Sequence, residues 1–327
     1  MRRIAFAGIL CALSVLLFAG CDTDEKREIN NTVGSVQNGD DTAVYEQEGD
    51  DTGGGKQSNY EKMEFTNAAE GVLAFAADRN GDVYVLEQDG ILTGYEKNGS
   101  IKKTYPDCLD FMAMCCDDGM IYAYDAVKKE IIALNAEDGS RKTVLEQRSV
   151  YEVLKIVKLG ETLYVLIVPE LMQSMVGNND YQDFGERLYK VSLTNGNREE
   201  LPIDGVIAIY ASEEDILYYY AYQDETYVLC QYNTESGDSS ICYDMMTQFG
   251  IKYLSAFVYE SGVFSYAELN TPAIHVISTK DGREIKKTDE VMLLSGNDMD
   301  CIKGNLVYSG YPPNGEENFL QSFYLFD

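Results

Sequence analysis

One local pattern returns six times between residues 78 and 308: a polar turn, then a short β-branched run that carries a Tyr or Phe. Its sharpest copy is residues 78–86, Asp-Arg-Asn-Gly-Asp-Val-Tyr-Val-Leu. Taking the aromatic residue as the marker, the steps from Tyr84 through Tyr122, Tyr164, Tyr218 and Phe264 to Tyr308 are 38, 42, 54, 46 and 44 residues. Each unit breaks further into short alternating runs separated by turn residues. In the first unit these are 72–77, 82–87, 91–96 and 100–105, with Gln88-Asp89-Gly90 and Asn98-Gly99 between them. Asn-Gly between alternating runs is a strong hairpin signal. The second unit repeats the plan, and similar turns recur at Asp138-Gly139, Asn195-Gly196, Ser236-Gly237 and Asp281-Gly282.

A period of this size with four short strands per unit predicts an all-β chain, a six-bladed β-propeller of four-stranded antiparallel blades. The last unit stops one strand short. The run 60–66 has no unit of its own, so it is expected to close the ring as an N-terminal strand, leaving no unpaired edge. An open ring of five or seven units is the alternative. The pattern resembles the repeats of bacterial propeller lipoproteins and, more distantly, NHL-type blades of the form D-x-x-G-x-[IV]-Y-V. That likeness implies architecture across residues 59–327 and transfers no active site.

The N-terminus predicts an address. Met1-Arg2-Arg3 precedes an apolar run from Ile4 to Gly20, and Cys21 is followed by Asp22, Asp24 and Glu25. The run suits a signal-peptide core and is short for a membrane span. Leu17-Phe18-Ala19-Gly20-Cys21 resembles a bacterial lipobox, with Phe18 where Leu is usual. The resemblance implies a signal peptide over residues 1–20 and lipidation of Cys21. The anchor would hold the chain on the extracytoplasmic face of a bacterial membrane, the cell surface if the envelope has one membrane. Residues 21–58 are acidic and poor in apolar residues, which predicts a disordered tether.

Net charge is −29. That excludes a nucleic-acid partner, which demands a basic footprint. Of eight Cys, six lie in the body: Cys108, Cys115, Cys116, Cys230, Cys242 and Cys301. Zinc would want them paired at short spacing, and the single His is His275. Cys230 and Cys242 flank a turn, so a cross-strand disulfide is open to them, with buried free thiols as the alternative.

Candidate sites lie where the chain departs from its repeat. The loops 169–185 and 310–318 join second to third strands in units three and six. Long loops on a compact scaffold often carry function. A ligand or partner site is expected there, built from Glu170, Asn179, Asp180, Tyr181, Phe184, Tyr311 and Asn314. Asp78, Asn80 and Asp82 offer oxygens at alternate positions, the start of a calcium loop that lacks its distal Glu. Calcium is thus the one cofactor considered, and a plain turn is the simpler reading. Tyr218-Tyr219-Tyr220 with Tyr222 reads as strand core on one face and surface on the other, with an aromatic sugar platform as the alternative. The inner strands read as apolar, which disfavours a polar catalytic channel. The reading that follows is a monomeric, non-catalytic module binding a protein, peptide or glycan. The rivals are a glycan lyase, hydrolase or lactonase using a divalent ion, and a scaffold of an envelope complex.

Overall fold

A computed structural model describes residues 71–146, 151–169, 186–213, 215–268, 271–289, 291, 293, 299–302, 304–310 and 319–325. The expected closing strand at 60–66, the anchor Cys21 and the tether lie outside the described residues, as do Glu170, Asn179, Asp180, Tyr181, Phe184, Tyr311 and Asn314.

Six antiparallel sheets follow one another along the chain. Blade one is β1 (Val72–Ala77), β2 (Val83–Glu87), β3 (Leu92–Tyr95) and β4 (Ile101–Tyr105). Blade two is β5 (Phe111–Asp117), β6 (Met120–Asp125), β7 (Glu130–Asn135) and β8 (Arg141–Glu146). Blade three is β9 (Tyr151–Leu159), β10 (Thr162–Pro169), β11 (Arg187–Ser192) and β12 (Arg198–Glu200). Blade four is β13 (Val206–Glu213), β14 (Ile216–Gln223), β15 (Thr226–Asn233) and β16 (Ser239–Asp244). A short helix, α1 (Met245–Phe249), leads to blade five: β17 (Leu254–Glu260), β18 (Val263–Glu268), β19 (Ala273–Ser278) and β20 (Glu284–Asp289). Blade six shows three strands among the described residues: β21 (Met299–Ile302), β22 (Asn305–Gly310) and β23 (Phe319–Tyr324). The first strands of successive blades touch in a closed cycle, β1 to β5, β9, β13, β17, β21 and back to β1. They surround the axis, and the molecule is a six-bladed β-propeller.

Turn chemistry explains the recurrence. Between the third and fourth strands of five blades, the residue before a left-handed Gly accepts a hydrogen bond from the main-chain N–H after it. Asn98, Asp138, Asn195, Ser236 and Asp281 bond to Ser100, Ser140, Asn197, Asp238 and Arg283 at 2.8, 2.7, 2.9, 3.3 and 3.1 Å. This side-chain-closed turn fixes where the last hairpin of each blade reverses.

The cores lie between blades. In β1, Ala74 and Ala76 pack with Phe111, Met114 and Ile121 of blade two, while Val72, Phe75 and Ala77 pack with Val307 and Leu320 of blade six. Both faces of the sheet are therefore dry, and the strands near the axis read as continuous apolar runs rather than alternating ones. The fourth strands differ. Residues Ile101 to Lys103, Arg141 to Thr143 and Arg198 to Glu200 are mostly exposed. Charged side chains on these rims discourage edge pairing with other chains.

Polar latches join blade to blade at the ends of the first strands. The Asp78 carboxylate, 1% exposed, accepts from Asn80 N and Gly119 N, both at 2.9 Å, and from Cys116 Sγ at 3.5 Å. Asp117 in turn takes Lys158 Nζ at 2.6 Å and Arg79 Nε at 3.2 Å. Asp300 Oδ2 accepts from Ala77 N at 3.3 Å, which ties blade six to blade one.

Candidate functional site

The first strands build a channel with two dissimilar ends. Toward their N-terminal ends a β-bulge recurs, at the second residue in four strands and at the fourth in β9. The register slips between Val72 and Ala74, Phe111 and Met114, Val153 and Lys155, Val206 and Ala208, and Leu254 and Ala256. A bulge bends its strand and re-aims a side chain, and bulges concentrate next to functional sites. The bulged residues are Leu73, Met112 with Ala113, Leu154, Ile207 and Ser255. Leu73 is 45% and Met112 41% exposed, and Leu154 and Ile207 are half-buried. Four of the five bulges thus place an apolar side chain at this end of the first strands, and in the fifth Ser255 Oγ donates to Ala267 O. Pro169 pairs with Tyr151, and Phe319 with Gly310, so the strands joined by segments 170–185 and 311–318 end on the same face.

Lower down, the channel is polar. Cys115 on β5 has Lys155 of β9 and Asp300 of β21 as electrostatic neighbours. Tyr210 on β13 has Cys301, Asp300, Glu260 of β17 and Arg79, just beyond β1, as electrostatic neighbours. Every blade contributes an ionisable group. The expectation of an apolar channel is corrected here. In each strand the polar residue looks like one interruption of an apolar run, and only ring closure brings the interruptions together. No sequence-local signal marks them.

Enclosure by protein sets the chemistry of this cluster. Burial pushes the thiols of Cys115 and Cys301 and the hydroxyl of Tyr210 up, with neighbouring carboxylates adding to the effect. These groups stay protonated at neutral pH. They serve as weak donors and are poor nucleophiles. Burial also raises the Asp300 carboxyl, against the pull of Lys155 and of the N–H groups of Cys301 and Ala77. Its stabilising contribution is full below the ordinary carboxylate value of about 3.9 and is lost as pH rises through the raised value. Asp300→Asn never carries the charge. It is expected to melt above wild type at pH 7, the gap closing as pH falls toward 4. Thermal denaturation across that range checks this, and a pH-independent gap would sink it.

The remaining sequence candidates separate. Asp78, Asn80 and Asp82 do not converge: the Asp78 oxygens take main-chain N–H groups and Asp82 pairs with Lys102. Among the described residues no group of three His, Cys, Asp or Glu is placed to hold a metal ion. All six described cysteines are free thiols, so the Cys230–Cys242 bridge is not formed. The register explains why. Cys230 pairs with Ile241, Cys242 is the extra residue of a bulge, and the two pack into cores on opposite faces of blade four. His275 Nδ1 lies 2.8 Å from Glu284 Oε2 and its ring stacks on Tyr266 at 5.1 Å, a structural role. Tyr218, Tyr219 and Tyr220 are all buried, because both faces of their blade are covered. Of that run only Tyr222 reaches solvent.

No protein-family model matches the sequence, and none of the curated proteins matches it. Solved structures do. Oligogalacturonate lyase from Vibrio parahaemolyticus is similar over 82% of this chain and 94% of its own, at 8% identity and a TM-score of 0.53. The calcium-binding protein regucalcin from Agrobacterium tumefaciens is similar over 80% and 95%, at 12% identity and 0.52. A luciferin-regenerating enzyme is similar over 79% and 95%, at 9% identity and 0.51. At such identities the likeness is one of fold, and the fold is that of the β-propeller.

Proposed function

We propose that this chain is a lipid-anchored, extracytoplasmic binding propeller. It takes a segment of an envelope protein or a peptide at the apolar mouth of its channel, without catalysis. The observation that carries the reading is the bulge repeated in five blades, which leaves Leu73 and Met112 open to solvent within one ring. Scattered exposed apolar residues need no explanation, but Leu73 and Met112, exposed at equivalent positions of adjacent blades, have the form of an anchor for an inserted side chain. The rest of the surface, strongly acidic, discourages unspecific partners. Signal peptide, Cys21 lipidation and tether complete the proposal from sequence.

Two measurements test it. Cys21→Ala is expected to move the protein from the membrane fraction to the soluble one; retention at the membrane would remove the anchor. A photo-crosslinker at position 112 is expected to trap a discrete envelope partner that the same probe at position 142, on the outer rim, does not. Leu73→Asp is expected to weaken that capture by about tenfold while leaving melting unchanged, since the site is exposed. Equal adducts from both positions would end the binding reading.

A propeller enzyme is the second reading. The polar cluster around Tyr210, Lys155 and Asp300 favours it, although the thiols of Cys115 and Cys301 stay protonated and no three His, Cys, Asp or Glu among the described residues are placed to hold a metal ion. A melting temperature raised by added calcium would favour this reading.

A further inference from the structure

On the same face, over blades four and five, three tyrosines meet at the surface. Tyr222, next to last in β14, is 41% exposed, and Tyr253, just before β17, is 46% exposed. Tyr227 of β15 lies between them, 6% exposed, its ring 5.0 Å from Tyr222 and 5.5 Å from Tyr253, at interplanar angles of 53° and 72°. The rings form a corner rather than a flat patch.

The corner is held rigidly. Tyr222 and Tyr227 are a cross-strand pair in register. The turn that sets this register is Asp224-Glu225, both left-handed at φ of +48° and +65°. Non-glycine residues in that region are strained, and such strain persists only where surrounding structure enforces it. Beneath, Tyr220 stacks on Tyr227 at 5.9 Å, and its hydroxyl donates to Lys252 O at 2.9 Å, anchoring the segment that carries Tyr253. Beside Tyr253 opens a small cleft of about 190 Å³ lined by Gly250, Lys252 and Glu268.

We propose that this corner binds a neutral oligosaccharide. A pyranose presents an apolar C–H face that stacks on an aromatic ring, and a rim of hydroxyls that need donors and acceptors. Rigid tyrosines supply the first, as amphipathic rings do at other wet interfaces. Lys252, Glu268 and the tyrosine hydroxyls supply the second. The cleft is too small for a helix or strand, and concavity with a few convergent polar groups is the form of a small-ligand subsite. A net charge of −29, with Asp224, Glu225 and Glu268 close by, repels polyanionic glycans and nucleic acids. The site is separate from the channel mouth and stands or falls without it.

The test uses the full chain carrying Cys21→Ala and a set of neutral oligosaccharides, glucans, mannans and chitin fragments, read by ligand-observed NMR and calorimetry. At least one series is expected to bind. Tyr222→Ala and Tyr253→Ala should each weaken it by about tenfold, and Tyr253→Phe by no more than about threefold, with melting unchanged. Leu73→Asp should leave it intact. No binding across the set, or binding unaffected in the Tyr222→Ala/Tyr253→Ala double variant, overturns the proposal. So does preferential binding of a lysine-rich peptide, which would reassign the rings to cation recognition.

Discussion

Gly205→Ala is expected to destabilise the ring by about 4 kcal/mol or more and lower melting by about 8 °C or more. A Cβ at Gly205 would stand 2.3 Å from Tyr222 O and 3.3 Å from Tyr222 C. Both are backbone atoms of a central strand, and Tyr222 N donates back to Gly205 O at 2.9 Å, so neither side can yield without breaking the pair. The residue is also left-handed, at φ +69°. Gly119 provides the control, because it has the same φ and nothing within 4 Å of its missing Cβ. Gly119→Ala should cost only the conformational penalty, about 1 kcal/mol. Chemical denaturation of the two variants therefore separates sterics from backbone strain. Equal losses at the two positions would refute the close approach at Gly205.

The second large effect is expected at Asp78. Its carboxylate satisfies two main-chain N–H groups, one in its own turn and one in the next blade. Asp78→Ala leaves both without their acceptor in a part-buried site. At about 1–3 kcal/mol per unpaired buried group, relieved in part by water, the loss should be about 3 kcal/mol, or about 6–10 °C in melting. Asp78→Asn keeps one acceptor oxygen and should lose about half as much. Hydrogen exchange at the Gly119 amide would report the latch directly. Protection unchanged in Asp78→Ala would show that the blades do not depend on it.

Much of this fold was legible because its rules are local. The strands expected at 72–77, 82–87, 91–96 and 100–105 are β1 to β4, the first in full and the others to within one residue at each end, since Gly, Asn and Asp punctuate the chain at each reversal. The same residue that looked like a calcium ligand, Asp78, is a latch, because its partner Gly119 lies a whole blade away in sequence. The site was far less legible. Cys115, Lys155, Tyr210, Glu260 and Asp300 belong to different repeats, and nothing near any of them announces the others. The bulges at Leu73, Met112, Leu154 and Ile207 carry no Gly or Pro to betray them. The run Tyr218 to Tyr220 shows the limit of alternation: where both faces of a sheet are covered, period two no longer separates core from surface. Tyr222 differs only because it sits at the strand end, past the edge of its neighbours.

The placement of the cores between blades has a consequence for how the molecule comes apart. Ala74 belongs to one core and Phe75, its neighbour in β1, to another, so no sheet owns the apolar surface that holds it. A blade released from the ring would expose two faces at once, and the blades on either side one each. Release of a single unit therefore breaks two seams, and no release of whole blades breaks fewer. The ring should cross from native to denatured as a single cooperative event, with the seam between two blades, and not the blade, as the quantum of stability.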